Sequence, residues 1–203
     1  MRTRIPHRFP SRCRLVATLA LLCAVATTTA GEVSSAATQR IYSILRSQAS
    51  DSDATYFADS YLFTLTPPQQ LEVARTLSMD PSTSYVRYGA LLLVRLKHAD
   101  EAIAPTAHLL LSGEDISGLF WSWLNFDDPC LTDSMTLQLG RYLLREHPQL
   151  RGAERKRAED YLAGLRSPEH KFRTSAAQAD LQAIAQRLEH KGCHAASADA
   201  PLG

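Results

Sequence analysis

The sequence predicts an all-α protein, built either as an irregular helical stack or as a compact helical bundle. Apolar residues recur at three- and four-residue spacing in segment after segment. No segment sustains the alternation of a strand between turn signals. Helix-start and helix-stop residues punctuate the chain at helix-length intervals.

The first thirty residues differ from the rest. Arg2, Arg4, Arg8, Arg12 and Arg14 are basic, and no acid precedes Glu32. An uncharged run from Leu15 to Ala26 follows and ends in Thr27-Thr28-Thr29-Ala30. A basic start, a short apolar run and a small-residue exit predict a secretion signal at 1–30, cut after Ala30. The apolar run is shorter than the roughly 20 residues that span a bilayer. Leu22 before Cys23 disfavours a lipoprotein signal, and the separated arginines disfavour a twin-arginine one. The expected protein is therefore periplasmic or secreted, with no membrane span once the signal is cut.

Removing five of the 22 basic residues leaves 17 against 21 acids, a formal charge of −4 instead of +1. That balance argues against nucleic acid as a partner, because phosphate binding relies on excess Lys and Arg. The predicted organisation is one helical domain over 31–194 and a disordered tail over 195–203.

The helices follow in order. Ala37, Ile41, Ile44 and Leu45 mark the first, and Ala54, Phe57, Tyr61 and Leu65 the second. Thr66-Pro67-Pro68-Gln69 combines a capping hydroxyl, an N-terminal proline and a Gln three residues on, which starts a third. Leu71, Ala74 and Leu77 are its expected inner face. After Asp80-Pro81 comes a helix apolar almost all round, from Tyr85 to Leu96, as befits the middle of a stack. The next starts near Ile103, which accommodates Pro105, and stops at Gly113. Helices over 115–124, 132–146 and 153–165 come next. Ala158, Tyr161, Leu162 and Leu165 form the apolar stripe of the last of these. A capping box at Ser175 to Gln178 opens the final helix, Leu181, Ile184 and Leu188 line its buried side, and Gly192 ends it.

One stretch resembles a HEAT-type repeat, over residues 80–113. Asp80, Val86, Arg87, Ala90 and Leu110 match its pattern of an Asp-Pro entry, a Val-Arg pair, a small residue and a second helix with an aliphatic end. The resemblance implies structural roles for these residues and a protein-binding scaffold. The flanking helices do not repeat the pattern, so the stack is HEAT-like only in part.

Cys13 and Cys23 fall within the signal, which leaves Cys130 and Cys193. In an oxidising compartment the natural inference is one disulfide; a free buried thiol or a metal ligand are the alternatives. His190, Cys193 and His194 straddle a helix end, but no second ligand cluster completes a four-ligand site, so no metal is expected. His98, His108, His147 and His170 stand singly, and Arg155-Lys156-Arg157 is interleaved with acids as on a solvated helix face. Nucleophile-elbow, zincin, phosphate-loop and haem motifs are absent from the sequence, and no cofactor is expected.

The densest feature is Leu119 to Cys130. Ile116, Leu119, Phe120 and Trp123 share one helical face and are expected in the core. Trp121 points the other way, either into a second layer or outward. With Phe126, Asp127 and Asp128 it forms the candidate recognition edge, since exposed aromatics are favoured anchors for partners. The expected function is non-enzymatic binding of another protein outside the cytosol, as an immunity protein or an envelope-complex adaptor. The alternative is a small envelope hydrolase using Asp127 or Asp128 with a distant His.

Overall fold

A computed structural model of the chain describes residues 36–47, 51–120, 130–166 and 169–193. All regular structure among these residues is helical. In chain order the helices are α1 (36–47), α2 (Asp51–Leu62), α3 (Pro67–Ser78), α4 (Thr83–Arg95), α5 (Ile103–Ser112), α6 (Ser117–Phe120), α7 (Leu131–Glu146), α8 (Gly152–Gly164) and α9 (Thr174–His190). The chain divides between Gln69 and Gln70 into two compact units, so the break falls in the first turn of α3. The signal segment 1–30 and the tail 195–203 lie outside the described residues.

In the first unit, α1 buries Ala37, Thr38 and Ile41. The α2 helix buries Ala54, Ala58 and Leu62, a stripe at four-residue spacing. Phe57, expected inside, is exposed, while Tyr61 and Leu65 are half-buried. The stripe explains the difference. At about 100° per residue, turning α2 to bury Phe57 would carry Leu62 outward and give up the close approach that two alanines permit. The Gln69 half of the Thr66–Gln69 capping box forms: the Thr66 N–H and hydroxyl both donate to Gln69 Oε1, at 3.0 and 2.8 Å.

The second unit is built outward from α4 and α5. The Asp80 carboxylate accepts the Ser82 N–H at 2.8 Å, which sets the entry to α4. The α4 helix then buries Val86, Tyr88, Gly89, Ala90, Leu92, Leu93 and Val94. Gly89 lies directly on the last turn of α3, where an added Cβ would come within 2.7 Å of the Leu77 carbonyl carbon. Only a residue without a side chain permits that approach. The middle of the unit is shared with α5, which packs on α4, α7 and α8. Pro105 sits in its first turn, where a backbone N–H has no helical partner in any case. The buried Thr106 hydroxyl donates to Ala102 O at 2.7 Å, so its burial leaves no orphan donor.

Three helix ends use one device. At Gly113, φ is 93°, Gly113 N bonds to Leu110 O at 3.0 Å and Glu114 N to Leu109 O at 2.9 Å. This is the paired Schellman pattern. Gly192, with φ 68°, repeats it at the end of α9. Lys97 repeats it after α4 with φ 65°, an uncommon conformation for a residue with a side chain. At Gly113 the space a Cβ would need is taken by the Arg157 guanidinium, whose Nη1 donates to Leu111 O. Thus α8 supplies a cation to the negative end of α5.

The α7 and α9 helices pair antiparallel: the start of α7 lies by the end of α9, and Gly140 faces Leu181. Leu137, Leu181, Ile184, Leu188 and Cys193 form the core between them. The expected capping box at Ser175 does not form the cap. The α9 helix starts two residues earlier, with Arg173 extended at the cap position and its carbonyl accepting the Ala177 N–H at 3.0 Å. Ser175 is thereby inside the helix. Among the described residues, no helix is long and apolar enough to cross a membrane.

Two glycine substitutions separate backbone from side-chain crowding. Gly89→Ala drives a Cβ into the backbone of α3 and is expected to cost about 3 kcal/mol, the upper end of ordinary overpacking. Gly140→Ala meets only the mobile end of Leu181 and gains helix propensity, so stability should stay within about 1 kcal/mol of the parent. Urea unfolding of both variants checks the contrast.

Candidate functional site

The sequence-predicted edge of Trp121, Phe126, Asp127 and Asp128 lies outside the described residues. Its two flanks are described. On the entry side, Asp115 Oδ1 accepts the Ser117 N–H at 2.8 Å and opens the short α6. Ile116 and Leu119 are buried there, as the helical face predicted, and α6 packs on α4. On the exit side Cys130 precedes α7.

Cys130 is joined to Cys193 by a disulfide, with Cα atoms 5.9 Å apart across 63 residues of sequence. The left-handed turn at Gly192 makes this possible. It folds Cys193 back so that its N–H reaches Leu188 O at 2.9 Å and its sulfur side joins the α7–α9 core. A straight continuation of α9 would carry Cys193 away from α7. With its sulfur in the disulfide, Cys193 is no thiolate ligand for a metal. Among the described residues, no group of His, Cys, Asp and Glu could hold one.

Ion pairs reinforce the same end of the pair. Asp133, in the first turn of α7, takes Lys191 Nζ at 2.9 Å and Arg187 Nη2 at 3.5 Å from α9. Partial burial on its own would raise the Asp133 pKa. The Lys191 hydrogen bond and the charges of Lys191 and Arg187 outweigh it, and the net shift is downward.

The histidines are placed structurally. His147 Nε2 lies 2.9 Å from Glu159 Oε1, which also accepts from Arg155 Nε at 3.0 Å. The His147 ring packs against Phe172 at 4.9 Å. The His147 and Arg155 hydrogen bonds together hold the Glu159 carboxyl below its ordinary value. His98 Nδ1 lies 2.8 Å from Glu101, which also takes a two-pronged bond from Arg75 at 2.7 and 2.8 Å. Each His thus ties a helix end to its neighbour through a carboxylate. His108 and His170 are exposed. A cleft of about 380 Å³ opens between the end of α8 and the start of α9, with Arg166 paired to Asp180 on its wall and His170, Lys171 and Arg173 at its rim.

The residues that sequence reasoning missed are on α2. Tyr56 is 68% exposed, Phe57 48% and Phe63 77%. Phe63 continues the last turn of α2, its N–H bonding to Asp59 O at 3.0 Å. Seven residues make nearly two helical turns, so Tyr56 and Phe63 stand about 20° apart around the axis. They lie opposite the buried Ala54, Ala58 and Leu62 stripe. Phe57 meets Tyr56 edge-to-face with centroids 5.5 Å apart. The helix therefore turns its small residues inward and its largest apolar ones outward, the reverse of an ordinary amphipathic helix. The sequence carried a signal for this. Ala54, Ala58 and Leu62 form a four-residue stripe of their own, and it competes with the stripe through Phe57.

No protein-family model matches the chain, and neither a curated protein nor a solved structure matches it.

Removing the staple as Cys130→Ser with Cys193→Ser should lower unfolding stability by about 2–4 kcal/mol, the usual cost of losing an unstrained crosslink. Comparison of reduced and oxidised parent protein in urea should give the same difference. The Asp133 contribution has a definite sign. Its folded pKa is depressed, so the unfolded chain binds the proton first. The stability is present above the ordinary aspartate pKa and is lost as pH falls through the folded one. Asp133→Asn should therefore flatten the acid limb of a pH–stability curve below the ordinary aspartate range, with little change in the slope near neutrality.

Proposed function

We propose that the chain is an exported, non-enzymatic helical domain that binds another protein, in the manner of an immunity protein or an envelope-complex adaptor. The observation that carries the reading is the exposed face of Tyr56, Phe57 and Phe63 on α2. Clustered exposed aromatics are costly in water and are the residue types that anchor protein interfaces. The leader-like segment 1–30 and the Cys130–Cys193 disulfide support the exported setting. The HEAT-type resemblance of residues 80–113 fits the same class of function. The segment carrying Trp121, Phe126, Asp127 and Asp128, bounded by buried Leu119 and stapled Cys130, supplies a second candidate edge.

Site-specific photocrosslinking of the full chain in its host tests the reading. A photoreactive phenylalanine analogue at Tyr56 or Phe63 should give a discrete crosslinked protein in the exported fraction, on a chain beginning at Gly31. The same analogue at Lys156, on an exposed charged face of α8, should give none. Equal or absent crosslinking at all three positions would remove the α2 face as a docking site.

A further inference from the structure

Where α8 ends and α9 begins, the second unit leaves a hollow instead of a packed seam. Small side chains are the cause. Ala163 of α8 and Ala176 and Ala177 of α9 line the cleft beside Leu162, and Leu162 and Ala177 are fully buried. Phe172 is the one aromatic residue of the lining, and its ring is engaged elsewhere, packed on His147 at 4.9 Å. His147 is itself only 12% exposed and is tied through Nε2 to Glu159, so the Phe172 wall has a fixed backing. The resulting cleft of about 380 Å³ falls near the small end of ligand sites, which run from roughly 300 to 1,000 Å³.

The rim carries charge over this apolar floor. Two acids are there and both are engaged: Asp180 takes Arg166 Nε, and Glu169 has an interaction of its own. Lys171 and Arg173 line the same cleft with His170, are exposed, and make no ion pair among the described residues. The unanswered charge is therefore positive. We infer that this cleft binds a small carboxylate bearing an aromatic or branched aliphatic group, with the group on the alanine floor against Phe172 and the carboxylate between Lys171 and Arg173. A guanidinium matches a carboxylate with two parallel hydrogen bonds, and an ammonium adds a point charge. The apolar floor selects an anion with an apolar body, because a bare anion would cover none of that surface. A neutral apolar molecule would leave the cations without a partner. The ligand chemistry belongs equally to a free organic acid and to the carboxyl end of a peptide. This site is separate from the α2 face and does not rest on its docking role.

The test is calorimetric titration of the chain beginning at Gly31 with matched probes. They are 3-phenylpropionate, its neutral amide, the acetylated tripeptide Ala-Ala-Phe with a free and with an amidated end, and inorganic phosphate. Saturable binding is expected of the two carboxylates and not of their amides or of phosphate. Lys171→Gln with Arg173→Gln removes two exposed side chains without ion pairs, so the fold should hold by far-ultraviolet dichroism. It should weaken carboxylate binding about tenfold or more, the loss of charge-assisted hydrogen bonds. Ala176→Leu should fill the floor and abolish binding of both carboxylates.

Tighter binding of the tripeptide than of 3-phenylpropionate would make a peptide end the source of the ligand, and the reverse order a free acid; either supports the site. Equal binding of acids and amides would overturn the role of the cations. Phosphate binding as tight as that of the carboxylates would overturn the role of the floor. Carboxylate binding that is absent, or unchanged in the Lys171 and Arg173 double variant, would overturn the site itself.

Discussion

The second unit depends on the antiparallel contact of α7 with α9, and that contact depends on how α9 ends. A left-handed residue at Gly192 turns the chain back under the helix and seals Cys193 into the core beside Leu188. Three kinds of force then act at one place. Leu137, Leu181, Ile184 and Leu188 exclude water, the disulfide fixes the ends, and Asp133 takes two cations from the last turns of α9. Each reinforces the same register. A shift of α9 by one turn would move Lys191 and Cys193 away from their partners and Leu181 away from Gly140.

The same logic explains why the exit side of the 121–129 segment is well held. Cys130 is both the residue before α7 and one half of the staple, so the segment's exit is covalently fixed to the far end of the chain. Its entry is fixed by a different means, burial of Ile116 and Leu119 with α6 against α4. A segment rich in aromatic and acidic residues thus lies between two anchored flanks. The aromatic ridge of α2 is arranged otherwise: there the scaffold is the helix itself, and the rings are on its outside because two alanines and Leu62 occupy the inside.

Helix existence, order and most ends were legible in the sequence. Thr66 with Gln69, Pro105 near the start of α5, Gly113 and Gly192 are signals carried by local backbone chemistry, and all four act where they were expected. The failures are of one type. Ser175 to Gln178 has the composition of a capping box, yet the helix begins before it, because the carbonyl of Arg173 was already placed to accept an N–H. Lys97 takes a left-handed position that no local signal announces; the packing of α4 and the turn after it demand it. The spacing of Phe57 points it inward, and the four-residue stripe of Ala54, Ala58 and Leu62 prevails. The candidate site was legible only as a composition. Trp121, Phe126, Asp127 and Asp128 fall outside the described residues, and of the exposed rings the spacing directs Phe57 inward and gives Tyr56 and Phe63 no direction.

What the sequence determined alone was the all-helical class, the chemistry of the helix ends and the presence of two cysteines in the body of the chain, because each of these rests on interactions within a few residues. Tertiary structure decided which face of α2 is inside, that Gly89 meets the backbone of α3, that Arg157 serves the end of α5, and that Cys193 reaches Cys130. Those outcomes depend on which surfaces approach closely enough to exclude water, and a one-dimensional pattern holds competing stripes of nearly equal merit until a neighbouring helix selects one.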